Sequence, residues 1–224
     1  MKYDTILFDL DGTLIASEEG ITRSMQLALA AFGIRENQND LSHFIGPPLN
    51  VELAATYHLE TDKISGIISR FRERYETVGL YEAHPYPGIS ELLQELKGNG
   101  CRLAIATSKP QEAMRRVADH FRLAPYFEIL CGSRVEDELE NRTGKDNKAH
   151  VIKTALRLLG ETGNIGRAVM IGDSPYDIIG AKANRLPSVA VTYGYGNKKA
   201  LLEEEPTFVA KNVEELATLL KCEK

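Results

Sequence analysis

The sequence predicts an α/β fold, a doubly wound parallel sheet carrying an inserted α-helical cap. Short runs that are apolar at successive positions recur along the 224 residues, the pattern of strands buried on both faces of a parallel sheet. Amphipathic segments of helix length separate most of these runs, as crossovers between parallel strands require. Between the first run and the second, however, lie about 90 residues, far more than one crossover helix needs.

The first strand is expected in "TILFDL" (5–10), which ends in Asp9 and Asp11 beside Gly12. Residues 18–78 then read as helical almost throughout, in the segments 18–34, 49–59 and 62–80. The prolines and glycine of "HPYPG" (84–88) cannot sit inside a helix and mark the return to the sheet. A helical cap domain is therefore placed at 16–83, and the α/β core at 1–15 and 84–224. In the core, "GISELLQELKGNG" (88–100) has apolar residues at 89, 92, 93 and 96 before a glycine stop, which predicts a helix. Strands are expected in "RLAIAT" (102–107), "EILC" (128–131), "AVMIGD" (168–173) and "SVAVTY" (188–193). Helices are expected in "QEAMRRVADHF" (111–121), "KAHVIKTALRLL" (148–159) and "DIIGAKAN" (177–184), and a polar loop at 135–147.

Composition narrows the function classes. A net charge of −5 with 43% hydrophobic residues suits a folded globular chain and offers no basic field for a nucleic acid polymer. Cys101, Cys131 and Cys222 lack metal-ligand or disulfide spacing and read as free thiols in a reducing compartment, two of them in core strands. No signal sequence and no membrane-length apolar stretch is visible. A cytoplasmic protein without membrane association, monomeric or homodimeric, is expected.

Ligands of open parallel sheets bind beyond the carboxyl ends of the strands. The chemistry-bearing residues lie there: Asp9 and Asp11 at the end of the first strand, Thr107 and Ser108 at the end of the second, Asp173 at the end of the fourth, and Asp177 four residues on. Taken singly, an aspartate at such a place caps a helix or starts a turn. Capping does not require two carboxylates in "DLDGT" and two more in "GDSPYD". Asp9 and Asp11, at alternate positions of an extended segment, would repel unless they share a cation or a proton. A divalent ion answers this, and a set of hard oxygen donors without a His or Cys cluster points to Mg²⁺. Gly12 permits a sharp turn whose amides can approach an anion. The five histidines are scattered and are expected to play no catalytic part; "GYG" (194–196) reads as a turn.

These segments resemble the haloacid dehalogenase superfamily. "DLDGT" (9–13), the threonine of "IATSKP", a lysine in "KDNKAHVI" and "GDSPYD" (172–177) look like its four motifs, in order. An insert between the first two is similar to the subclass with a helical cap. "FIGPPL", "YPGI" and "VTYGYG" are similar to phosphoglycolate phosphatase-like hydrolases, some of which act as 5'-nucleotidases. The resemblance implies that a small phosphorylated metabolite is hydrolysed through an aspartyl-phosphate. Asp9 would be the nucleophile, Asp11 the acid and base, and Lys148 the paired cation, in preference to Lys145 or Lys109. Gly12, Thr107 and Ser108 would bind the phosphoryl oxygens. Asp9, the Asp11 carbonyl and Asp173 would hold Mg²⁺, and Asp177 would orient its water. The second aspartate of "DLDGT" distinguishes phosphatase-like members from dehalogenases.

Substrate choice is expected in the cap, with Gly46 in the turn "FIGPPL" (44–49) and Arg23, Arg72 and Arg74 as candidate readers of a second anionic group. Where many relatives carry an aspartate after "DGTL" plus one residue, this chain has Ala16. A phosphosugar mutase using the same aspartyl-phosphate is the alternative within enzymes. A phospho-acceptor signalling domain is the alternative outside them.

Overall fold

The computed structural model describes residues 3–133, 145–161 and 167–221. Cys222 and most of the polar loop placed at 135–147 lie outside the described residues. A six-stranded parallel sheet forms the centre, built from β1 (Thr5–Phe8), β4 (Arg102–Pro110), β5 (Ile129–Ser133), β6 (Ala168–Gly172), β7 (Ser188–Val191) and β8 (Phe208–Ala210). The spatial order is β5-β4-β1-β6-β7-β8, so β1 is central and pairs with β4 and β6.

The apolar runs do not alternate because both faces are covered. Ile6 and Phe8 pack in one layer, whereas Leu7 packs in the other with Ala104, Met170 and Val151; all three β1 residues have no exposed surface. Helices α4 (Ile89–Gly98), α5 (Gln111–His120), α6 (Lys145–Leu158), α7 (Pro175–Ala183), α8 (Lys198–Glu203) and α9 (Val213–Leu220) make up the layers of the sheet domain. Helices α4 to α7, expected from their spacing, bury an apolar stripe, as with Ile89, Leu92, Leu93 and Leu96 of α4, whereas α8 and α9 were not expected.

Register decides what meets at the sheet's carboxyl edge. Phe8 pairs with Ile105 on one side and with Ile171 on the other. Asp9 and Asp173, the first residues beyond β1 and β6, therefore come side by side with Thr107 in the last half of β4. The Asp9 amide still donates to the Ile171 carbonyl at 2.9 Å, so this first position after β1 is tied to the ladder.

Residues 18–81 contain α1 (Glu18–Ala31), α2 (Leu49–Tyr57), α3 (Thr61–Tyr75) and two 3₁₀ turns, Gln38–Phe44 and Gly79–Tyr81, with no strand. Two short strands bracket this excursion: β2 (Ile15–Ala16) runs antiparallel to β3 (His84–Pro85). Neither was visible in the sequence, since two residues show no periodicity. β8 was missed for a related reason. It has three residues with only Ala210 buried, so no apolar run announces it. Cys101, just before β4, and Cys131, in β5, are buried and form no disulfide, their thiols donating to the Tyr3 and Val151 carbonyls. Among the described residues no helix is long and apolar enough to cross a membrane.

Candidate active site

Two buried lysines organise the carboxylates. Lys148, from the start of α6, crosses beneath the sheet edge. Its Nζ lies 2.7 Å from Asp9 Oδ1 and 2.7 Å from Asp177 Oδ1 and donates to the Ala106 carbonyl at 3.3 Å. Burial alone would lower the lysine's pKa, but Asp177 and Asp9 outweigh it and hold the ammonium charged. Lys109, at the end of β4, lies 2.9 Å and 3.2 Å from the two carboxylate oxygens of Asp11. Its Nζ also contacts the hydroxyl of Tyr75, from the last turn of α3, and stands 4.9 Å from that ring's centre. Each of the two carboxylates of "DLDGT" thus has a lysine partner, Lys148 for Asp9 and Lys109 for Asp11.

Asp173 is set differently. Its Oδ2 accepts from the amides of Tyr195 and Gly196 at 2.9 Å and 3.1 Å. A Cβ on Gly194 would stand 2.4 Å from the same oxygen. "GYG" is therefore more than a turn: it wraps this carboxylate with backbone, which a side chain at 194 would block. Burial, followed by repulsion from Asp9 and Asp177, pushes Asp173 up to about 8 despite those amides. Asp9 is pushed up to about 6 by burial and Asp177, with Lys148 and the Thr107 hydroxyl opposing.

Asp9, Asp173 and Asp177 each present a carboxylate oxygen within 4.8 Å of the others. Among the described residues, three buried carboxylates face the ammonium of Lys148 and leave negative charge uncompensated, and oxygen donors alone suit a hard divalent cation. The donor set fits such an ion. Asp177 has the least freedom to bind it, since Oδ2 accepts from the Ser174 amide and hydroxyl at 3.0 Å and 2.7 Å while Oδ1 faces Lys148.

A cleft of about 180 Å³ opens onto Asp9, Asp11, Thr107, Ser108, Lys148 and Asp173. Gly12 stands behind it, against Asp173. The excursion supplies the opposite wall with Ile21, Phe44, Ile45, Leu49 and Phe71, and with Gly46 on its loop. Arg23, Arg72 and Arg74 do not line it. Glu82 engages Arg74 through two hydrogen bonds of 2.8 Å and reaches Arg23 at 3.4 Å, and Arg72 lies on the exposed face of α3. Arg23 and Arg74 are thus directed to Glu82 and not to the cleft. Tyr75 was the residue missed. It extends the buried stripe of Ile64, Ile67 and Phe71, and spacing reads such a position as core without indicating where its hydroxyl ends. A second cavity of about 640 Å³ lies on the far side of Gly46 and Pro47, between His43, Glu52, Tyr176 and Asn197. His43 lines that outer space, and among the described residues no histidine lines the cleft.

A family model described as "Haloacid dehalogenase-like hydrolase" matches residues 6–191. A 5'-nucleotidase of Pseudomonas aeruginosa is 37% identical over 222 residues, covering 99% of this chain and 97% of the relative. A phosphoglycolate phosphatase of Agrobacterium fabrum is 32% identical over 210 residues, 91% of this chain and 86% of the relative. Among solved structures, that of a predicted phosphatase from Clostridium acetobutylicum superimposes with a TM-score of 0.87 at 37% identity, covering 97% of this chain and 98% of that one.

Proposed function

Because the chain belongs to the haloacid dehalogenase-like hydrolase family, we propose that it is a Mg²⁺-dependent phosphatase acting on a small phosphate monoester in the cytoplasm. The observation that carries this reading is the pair Asp9–Lys148 at 2.7 Å, a buried nucleophile-bearing strand end matched to a fixed cation and set beside a second carboxylate, Asp11, on the same cleft.

In this reading an Asp9 oxygen bonds to phosphorus as the ester P–O bond breaks, and Asp11, protonated at that stage, gives its proton to the leaving oxygen. Water then attacks the phosphorus of the aspartyl-phosphate while the Asp11 carboxylate takes its proton. Inorganic phosphate leaves and Asp9 is restored. Phosphoryl transfer needs mostly positioning and charge neutralisation. Lys148 and the Thr107 hydroxyl supply part of this, with donors from Ser108 and the turn at Gly12. Asp9, the Asp11 carbonyl and Asp173 would hold the Mg²⁺, which when bound neutralises phosphoryl oxygens. Asp177, with both oxygens engaged, serves to hold Lys148 in place.

The apolar wall supplied by residues 21–71 favours an ester whose alcohol carries no charge, such as a nucleoside monophosphate, over phosphoglycolate. The same wall argues against a phosphosugar mutase, which must also hold a second phosphate. A phospho-acceptor signalling domain would need neither Asp11 nor the helical excursion.

A panel of phosphate monoesters assayed for released phosphate, with Mg²⁺ and with EDTA, tests the proposal. Hydrolysis is expected with Mg²⁺ and its loss with EDTA; undiminished turnover in EDTA overturns the metal assignment. Isomerised sugar phosphate without released phosphate would favour the mutase.

A further inference from the structure

We propose that Tyr75, the last residue of α3, is a positioning residue for Asp11, acting through Lys109. The inference rests on the phosphatase reading above, in which Asp11 moves the protons. Lys109 and Tyr75 are both buried, 8% and 9% exposed. A buried ammonium has three N–H groups to satisfy. Here two carboxylate oxygens of Asp11, at 2.9 Å and 3.2 Å, and the Tyr75 hydroxyl are its partners.

Lys109 is therefore not a spare cation waiting for substrate. Its hydrogen-bonding capacity is filled by one residue of the sheet edge and one of the helical excursion. Because both Asp11 oxygens face the same ammonium, the lysine fixes the direction of the carboxylate, and Tyr75 fixes the lysine from the other side. Phe71 stacks on Tyr75 with ring centres 5.0 Å apart and itself lines the cleft, so the phenol is held by packing as well. Removing the hydroxyl leaves one buried N–H without a partner. The ammonium then shifts, and Asp11 shifts with it. A displacement of about 1 Å at a proton-transferring group costs up to about 100-fold in rate.

The test compares Tyr75→Phe and Lys109→Met, each alone and combined with Asp11→Asn. The substrates are an alkyl phosphate, whose leaving oxygen needs a proton, and p-nitrophenyl phosphate, whose leaving phenolate scarcely does. Tyr75→Phe is expected to lower kcat on the alkyl ester about 10-fold and on the aryl ester less than about threefold, with KM within about twofold on both. Lys109→Met should show the same selectivity, more strongly. In the Asp11→Asn background Tyr75→Phe should cost nothing further on the alkyl ester, because its route to the chemistry is already cut.

Equal losses on both esters, full additivity with Asp11→Asn, or wild-type rates in Tyr75→Phe each overturn the proposal. Should Lys109→Met fail to fold, Tyr75→Phe decides alone, since it keeps the ring that packs on Phe71. A wild-type protein inactive on both esters would remove the phosphatase reading itself, a different result from any selective loss.

Discussion

Gly12 rests directly on the carboxylate of Asp173: a Cβ at position 12 would stand 2.1 Å from Asp173 Oδ2. The backbone there is left-handed, with φ of 79°, a conformation other residues adopt at a cost of about 1–2 kcal/mol. Gly12→Ala should therefore displace Asp173 from the Tyr195 and Gly196 amides. The expected result is a weakening of Mg²⁺ binding by about 10-fold or more, since a misplaced ligand loses most of its contribution, measured by calorimetry without substrate. Wild-type affinity in this variant would mean that Asp173 is not a ligand.

The metal-free protein should be more stable in mild acid than near pH 8. Burial and its acidic neighbours raise Asp173 from 3.8 to about 8. Between those values the native state holds a proton that the unfolded chain has lost, so stability falls as pH rises through the window. Melting temperatures in EDTA should decline over that range. Asp173→Asn should flatten the decline, and Mg²⁺, which favours the charged carboxylates, should restore most at the alkaline end. A metal-free melting temperature that climbs over the same window would contradict the charge balance described for the cluster.

The two aspartates of "DLDGT" should fail differently. Asp9→Asn is expected to abolish both turnover and the trapped phosphoenzyme, since an amide is no usable nucleophile. Asp11→Asn should slow alkyl phosphates about 100-fold or more, the usual scale of acid–base assistance, while sparing p-nitrophenyl phosphate in the first step and letting the phosphoenzyme accumulate. Rapid-quench assays with labelled substrate distinguish the cases. Equal losses on both esters with no intermediate would assign Asp11 another task.

Gly46 has φ of 99° and open space where a Cβ would go, so a substitution there strains the backbone without a clash. Gly46→Val should move the loop that separates the cleft from the outer cavity. For the best substrate of the panel, kcat/KM is expected to fall about 10-fold or more, because binding of its non-reacting part is lost. Acetyl phosphate should change little. Uniform losses would show that the loop excludes water from the chemistry without reading the alcohol.

How much of this was legible follows from what strands record. The positions of Asp9, Thr107 and Asp173 at one edge follow from three buried apolar runs and the rule that parallel strands end together. Lys148 was identified by resemblance, because nothing in spacing separates it from Lys145 or Lys109. Tyr75 escaped because a tyrosine on a buried stripe has the same periodicity as a phenylalanine, and only the fold brings α3 against the end of β4. The arginines show the converse. Their charge was visible, but the pairing of Arg23 and Arg74 with Glu82 depends on the return of the chain past the Gly79–Tyr81 turn. Strands β2, β3 and β8 are held by tertiary pairing rather than by any local pattern.

The pairing of β2 with β3 has a mechanical meaning. Ala16 lies opposite His84 and Ile15 opposite Pro85, with the Tyr86 amide donating to the Leu14 carbonyl and the Gly20 amide to the Glu82 carbonyl. The chain therefore departs for its helices and comes back at a single doorway only two strands wide. Any swing of those helices must twist both strands of that pivot together, and the inner strand is joined to Asp11 by a bridge at Ile15. The torque of such a swing would be delivered four residues from Asp11, the carboxylate proposed above to move the protons.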